Sequence, residues 1–338
     1  MDWVNLMSDT VTKPTAGMLA AMINAEVGDD VFEDDPTVNR LQQKAAVLFG
    51  KDAALFCPSG TMTNQIAIKV HTRALDEVIC EQTSHIYQYE TGGYAHNSRV
   101  AIQLLQGQNG KLRPEQIKPA LRPDHDWLPH SALVVIENSC NKAGGSFYTL
   151  PEMQALSQVC RENELKFHLD GARIFNALTE SGGTTQEVGS HFDSISVCLS
   201  KGLGAPVGSV LIGDRDFIKQ ARRFRKVMGG GMRQAGYLAA AGIYALDHHV
   251  ERLREDHRRA KQLGQALENL AIVDRVEPVH TNIIVFHLKD DLADDLLQNL
   301  LNHRIKAVAL GPATVRFVTH LDFTEEMLEH TLRVLNLF

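Results

Sequence analysis

The stretch Ser194-Ile195-Ser196-Val197-Cys198-Leu199-Ser200-Lys201-Gly202-Leu203-Gly204-Ala205-Pro206 carries a lysine from the end of an apolar run into a glycine-rich turn. A short β-rich apolar run closed by turn residues reads as a buried strand, which puts Lys201 at a strand end. Upstream, Leu165-Lys166-Phe167-His168-Leu169-Asp170-Gly171-Ala172-Arg173 is a second such run, ending in an aspartate, a glycine and an arginine. Working outward, strand patterns occupy Ala53–Phe56, Glu77–Cys80, Arg99–Leu104, Ala132–Ile136, Lys166–Leu169, Ser194–Leu199 and Ser209–Ile212. Helical patterns at Thr63–His71, Leu150–Asn163 and Arg215–Phe224 lie between them. That alternation predicts an α/β unit around a largely parallel sheet.

The two strand ends together point to a pyridoxal phosphate site. That cofactor is held on a lysine, and its power as an electron sink depends on a carboxylate opposite the pyridine nitrogen. Asp170 fits the carboxylate, because an anion within reach keeps the ring nitrogen protonated; Lys201 fits the lysine. Taken singly, Lys201 reads as a solvated surface lysine and Asp170 as a helix cap. Their pairing at two strand ends is what favours the cofactor.

At 338 residues the chain is long enough for one large and one small domain. A net charge of −7 with no long basic run argues against nucleic acid or an anionic membrane as partners. The five cysteines, widely spaced and set in apolar runs, read as reduced structural thiols. No Cys-x-x-Cys or His-Glu-x-x-His pattern occurs, so no protein-built metal site is expected. Without a signal pattern or a membrane-length apolar run, a cytoplasmic location is expected.

Beyond Gly229-Gly230-Gly231, the pattern from Met232 to Gln262 predicts one long amphipathic helix. The tail then reads strand, helix, strand, strand, helix over Thr281–Leu288, Leu292–His303, Ala307–Leu310, Thr314–Val318 and Thr324–Leu335. We divide the chain into residues 1–26, expected to pack with the small domain, a large domain at 27–245 and a small α+β domain at 246–338.

Cys57-Pro58-Ser59-Gly60-Thr61-Met62-Thr63 joins a strand to a helix and offers free backbone N–H groups at a helix start. Ser59, Gly60 and Thr61 therefore read as a phosphate cradle, although such starts are also common caps without a ligand. His85 follows a strand, where its ring could stack on a cofactor or exchange a substrate proton, with Glu90 near enough to orient it. Ser8 and Arg316, from the two ends of the chain, are candidates for holding a substrate carboxylate.

Leu6–Thr12, Gly28–Val31, Asp35–Val38, Pro58–Thr61, His168–Arg173, Ser200–Ser209 and Gly229–Gln234 closely resemble the L-threonine aldolases over nearly the whole chain. The resemblance implies the fold-type I pyridoxal phosphate architecture: a mostly parallel seven-stranded sheet and a small domain, assembled as a homotetramer of dimers with interface active sites. It implies that Lys201 carries the cofactor, Asp170 pairs with the ring nitrogen, Ser59, Gly60 and Thr61 hold the phosphate, and His85 stacks on the ring. Ser8, Arg173 and Arg316 would gather the substrate carboxylate, Arg173 also near the cofactor hydroxyl. Lys226 and Arg233 would reach in from a neighbouring subunit.

The implied reaction is retro-aldol cleavage of an L-β-hydroxy-α-amino acid to glycine and an aldehyde, with His85 as the base or an ordered water in its place. The chain departs from the family pattern at Met7, at Phe32-Glu33, at Ser139-Cys140, and at Trp127, which stands where the family has a second active-site histidine. These departures cluster on the substrate side. A β-eliminating lyase, an aminotransferase or a cofactor-binding homologue without turnover are the rival readings.

Overall fold

The computed structural model describes residues 3–338. Its strands, in chain order, are β1 (Val4–Asn5), β2 (Ala53–Cys57), β3 (Asp76–Glu81), β4 (Ala101–Leu105), β5 (His130–Glu137), β6 (Lys166–Gly171), β7 (Ser194–Cys198) and β8 (Ser209–Gly213). These are followed by β9 (Val273–Val276), β10 (Ile283–Leu288), β11 (Ile305–Lys306), β12 (Val308–Gly311) and β13 (Thr314–Val318). Seven of them form the central sheet in the order β2-β8-β7-β6-β5-β3-β4. Only β8 runs against its neighbours, pairing antiparallel with β2 and β7, while the remaining pairs are parallel.

Every residue of β7 is buried, as expected of a central strand covered by helices on both faces. Because β3, β5, β6 and β7 are parallel, Glu81, Glu137, Gly171 and Cys198 close their strands along one edge. Loops from that edge form the crevice in which open α/β sheets bind ligands.

All seven strands expected for the large sheet are present. The helix expected from Met232 to Gln262 is instead two, Gly236–His248 and Leu253–Glu268. Between them His249 is buried, and its Nδ1 lies 2.7 Å from the carbonyl of Leu203, in the turn that carries Lys201. That tertiary bond takes the backbone out of helical register, which side-chain periodicity does not reveal. The short edge strand β9 was also unread, since Val273-Asp274-Arg275-Val276 offers only two apolar residues.

The small domain is a four-stranded antiparallel sheet, β12-β13-β10-β9, against helices Leu253–Glu268, Ala293–Asn302 and Glu325–Leu335. Strand β1 pairs in parallel with β11, and Val4 and Leu6 lie in this domain's core. Met18, from helix Ala16–Ile23, belongs to the large core instead. The N-terminal segment is thus shared between two cores: it starts on the small domain, passes the sheet edge at Ser8 and Asp9, and ends on the large one. All five cysteines are free and buried, and burial pushes the Cys57 and Cys80 thiols up to about 12, which makes them poor nucleophiles. Among the described residues no helix is long and apolar enough to cross a membrane.

Candidate active site

Asp170, the last residue but one of β6, is a buried carboxylate. Its Oδ2 accepts from Asn64 Nδ2 at 2.8 Å and its Oδ1 from the Ala172 amide at 3.2 Å. The same Asn64 amide donates to Glu90 Oε1 at 2.9 Å, and Gln65 Nε2 donates to Glu90 Oε2 at 2.6 Å. Helix Gly60–His71 therefore delivers two amides to two buried carboxylates, Asn64 bridging both and Gln65 adding a bond to Glu90. His85 opens a short helical turn after β3, where its backbone amide donates to Glu137 Oε2 at 2.9 Å.

The His85 ring is fixed by Glu90, with Nδ1 2.9 Å from Oε1. One nitrogen of His85 and one oxygen each of Glu90 and Asp170 lie within 4.8 Å of one another. Burial pulls the imidazole pKa down, but the Glu90 hydrogen bond and the Asp170 and Glu90 charges outweigh it, so the net shift is upward. Glu137 is paired in register with Asp170 on the neighbouring strand, and burial together with the Asp170 charge raises its pKa. Lys201 stands in the turn after β7, close enough to act electrostatically on Asp9, His85 and Cys198. Among the described residues its Nζ has neither a hydrogen bond nor an ion pair.

Arg173, one turn beyond Asp170, is buried and forms a two-pronged pair with Asp9: Nε to Oδ2 and Nη2 to Oδ1, both at 2.7 Å. A buried guanidinium requires such a partner, because an unpaired charge there is costly. Although burial works against it, Arg173 keeps the Asp9 carboxyl far below the usual carboxylate range. Asn282 Nδ2 adds a bond to Asp9 Oδ2 at 3.2 Å. Arg316, on β13, donates from Nη1 to Asn141 Oδ1 and from Nη2 to the Met7 carbonyl, both at 2.9 Å, while its Nε is buried without a partner.

Ser8 follows Met7 directly and caps a short turn, its Oγ accepting from the Thr10 amide at 3.2 Å. Ser8, Arg173 and Arg316 are thus gathered where the chain's two ends meet the sheet edge. Burial and the neighbouring Arg173 charge lower the Arg316 pKa. Asp9 is paired with Arg173, on which Glu137 also acts, and among the described residues Arg316 has no carboxylate paired with it.

Ser59 caps helix Gly60–His71, with its Oγ accepting from the Met62 amide at 3.2 Å. Among the described residues the Gly60 and Thr61 amides have no hydrogen-bond acceptor, a setting suited to an anion. A Cβ on Gly60 would come within 2.6 Å of Cys198 Sγ. Only glycine lets this helix start sit against the end of β7, beside the lysine turn.

Residues 5–291 match the model of the family described as beta-eliminating lyase. The low specificity L-threonine aldolase of Escherichia coli (strain K12) is 42% identical over 327 residues, covering 96% of this chain and 96% of that protein. Low-specificity L-threonine aldolase 1 of Arabidopsis thaliana is 39% identical over 337 residues, covering 97% of this chain and 94% of that protein. The chain belongs to the beta-eliminating lyase family, among its L-threonine aldolases. A solved structure of Leishmania major threonine aldolase superimposes with a TM-score of 0.84 at 24% identity, covering 98% of both chains, and shows the same fold.

Three of the residues singled out for this aldolase-family chain are not at the Lys201 cluster. Trp127 is 75% exposed and stacks on His125 before β5 begins. Glu137 closes β5 at the site edge, and eight strand residues span roughly 26 Å. Trp127 therefore lies at the opposite edge of the sheet, and its own chain does not bring it to the substrate. Arg233 is paired with Asp29 and its guanidinium lies 5.8 Å from the Phe32 ring centre. Lys226 sits with it near Gly231 and Val31. Among the described residues, no hydrogen bond or ion pair joins this rim patch to Lys201 or Asp170.

Arg173 is also more committed than expected: two of its three nitrogens serve Asp9, which leaves Nη1 for any ligand. Sequence reasoning missed Asp9, Asn64, Gln65, Glu137 and Asn141 as members of the site. Asp9 and Asn64 lay inside or beside quoted motifs, but Arg173 and Asp170, the partners that place them in the site, are more than a hundred residues away.

Proposed function

We propose that this chain is a pyridoxal phosphate-dependent aldolase that reversibly cleaves the Cα–Cβ bond of L-β-hydroxy-α-amino acids to glycine and an aldehyde. The substrates proposed are L-threonine, L-allo-threonine and phenylserine. The observation that carries this reading is the convergence of an unpartnered Lys201, a buried Asp170 and a Glu90-bound His85 at one sheet edge, beside an Arg316 with no carboxylate partner among the described residues. The names of its relatives agree with it.

The donor set fits pyridoxal phosphate group by group. Lys201 Nζ would hold its aldehyde carbon, Asp170 its ring nitrogen, and the Ser59, Gly60 and Thr61 helix start its phosphate. When bound, the cofactor supplies a sink for the electron pair released at the α-carbon. Arg316 and Ser8 hold the substrate carboxylate, with Arg173 Nη1 completing the corner, and so fix which α-carbon bond faces the ring. His85 takes the β-hydroxyl proton as the carbon–carbon bond breaks and the aldehyde carbonyl forms.

We further place the working form as a homotetramer of dimers, in which Lys226 and Arg233 meet a neighbouring subunit's site. Phe32 is 75% exposed and Val227 82% exposed on that rim, an apolar surface that a second copy would cover. The test of the activity is to incubate cofactor-loaded protein with L-threonine, L-allo-threonine and L-phenylserine and quantify four products. Equimolar glycine and aldehyde are expected. Ammonia and a keto acid would move the chain to β-elimination, the activity for which its family is named.

A further inference from the structure

The donor to Asp170 does not end at Asn64. Behind it, Asn64 Oδ1 lies 3.2 Å from His168 Nε2, and His168 Nδ1 lies 2.8 Å from Ser194 Oγ. Ser194 Oγ in turn lies 2.7 Å from His71 Nε2, whose ring stacks on Phe217 with centres 4.6 Å apart. These groups span β6, β7 and the helix over them, and His168 and Ser194 are fully buried.

The chemistry of the carboxylates fixes the direction of every bond in this chain. Asn64 faces Asp170 and Glu90 on one side, so both its N–H groups point there and its carbonyl points back. That carbonyl accepts only if His168 carries its proton on Nε2. His168 is neutral, since burial drops its pKa to about 4, so its Nδ1 is an acceptor and takes the single Ser194 hydroxyl proton. His71, also driven neutral by burial, must then donate from Nε2 to Ser194. The reverse orientation would turn the Asn64 carbonyl onto two carboxylates, which electrostatics forbids.

We propose that His71, Ser194, His168 and Asn64 form a one-way line of donors ending on Asp170, and that His168 and Asn64 are positioning residues for it. The line holds Asp170 as an aligned carboxylate at the place where a ring nitrogen needs a fixed negative charge. His168 touches no reacting atom; it acts by giving the buried Asn64 carbonyl its donor, which anchors the amide where its N–H groups meet Asp170. This inference rests on the pyridoxal phosphate reading above.

Two readouts test it: the ring-nitrogen NMR signal of isotope-labelled pyridoxal phosphate in the holoenzyme, and the cofactor dissociation constant by equilibrium dialysis. His168→Gln keeps an N–H where Nε2 stood and is expected to retain the protonated ring-nitrogen signal and near-native affinity. His168→Phe removes the donor, and Ser194→Ala takes away the hydroxyl that satisfies Nδ1, so the buried imidazole loses the bond that holds it against Asn64. Both are expected to lose protonated signal and to weaken cofactor binding roughly tenfold to a hundredfold, the effect of a lost hydrogen bond to a charged group. Ser194→Ala deletes one oxygen only, so it serves if the phenylalanine variant does not fold.

Wild-type signal and affinity in both His168→Phe and Ser194→Ala would overturn the inference alone. Equal loss in His168→Gln and His168→Phe would also overturn it, because packing rather than the donor would then matter. A wild-type chain that takes up no pyridoxal phosphate would overturn the cofactor reading and this inference together.

Discussion

Around Asp170 the chain answers its own polar groups, with Asn64 reaching Asp170 and Glu90, Gln65 reaching Glu90, and His168 reaching Asn64. Around Arg316 it does not: Arg316 Nε and Asn282 Oδ1 are buried without partners, and among the described residues Arg316 has no carboxylate paired with it. A network satisfied before any ligand arrives is rigid and pre-aligned, the condition for electrostatic stabilisation without reorganisation. A corner with spare donors gains its last partner from what binds. On the proposed reading, the first region would hold a resident group and the second a molecule that comes and goes.

The sharpest way to break this comparison is Lys201→Ala, which removes the unpartnered cation beside the pre-aligned network. Loss of the visible cofactor band after dialysis and a fall in turnover of more than roughly 10⁴-fold are expected. A retained band would show that another amine carries the cofactor. Asp9→Asn comes next in size, because it leaves Arg173 buried without its hydrogen-bonded counter-charge. A loss of about 3–5 kcal/mol in unfolding free energy is expected from denaturant titration; a loss below about 1 kcal/mol would mean the pair is not buried in solution.

Arg316→Lys probes the spare-donor side. Lysine keeps the charge but not the planar fork, so KM for the amino acid should rise roughly tenfold to a hundredfold while cofactor affinity stays put. Equal weakening of both would show that the two regions are one unit. A pH profile separates them again through His85. As a base it must be neutral, and Glu90 and Asp170 favour its charged form, which raises its pKa above 6.5. The rate should therefore fall about tenfold per unit as pH drops below that raised value, and His85→Asn should flatten the acid limb.

The two regions also differ in how far the sequence disclosed them. Lys201, Asp170, Ser59 and the seven large-sheet strands were legible because their signals are local: apolar runs, turn glycines and a helix start. Asp9 was not, because its meaning lies in Arg173, 164 positions away. Asn64 was silent for the same reason, being an amide inside a helix whose partners stand on other elements. The break at His249 was hidden too, since a single bond to the Leu203 carbonyl overrides an amphipathic pattern. Trp127 differs again: its motif position is local, but within one chain it stands exposed before β5, away from the Lys201 cluster, and no contact inside that chain gives it a role.

The smallest expected effect concerns the rim where Phe32 and Val227 face outward beside Lys226 and Arg233. An exposed side chain that touches little within its own chain contributes little to folding, so Phe32→Ser should change unfolding free energy by no more than about 0.5 kcal/mol. If a second copy covers that rim, the same substitution weakens association, and activity per chain should become dependent on protein concentration. Sedimentation of wild type and variant across a dilution series, read beside turnover, distinguishes the cases. Turnover that falls in step with dissociation would mean the spare-donor side is completed across a subunit boundary. Full turnover in a dissociated variant would mean that one chain contains the whole site, and that Lys226 and Arg233 serve the rim alone.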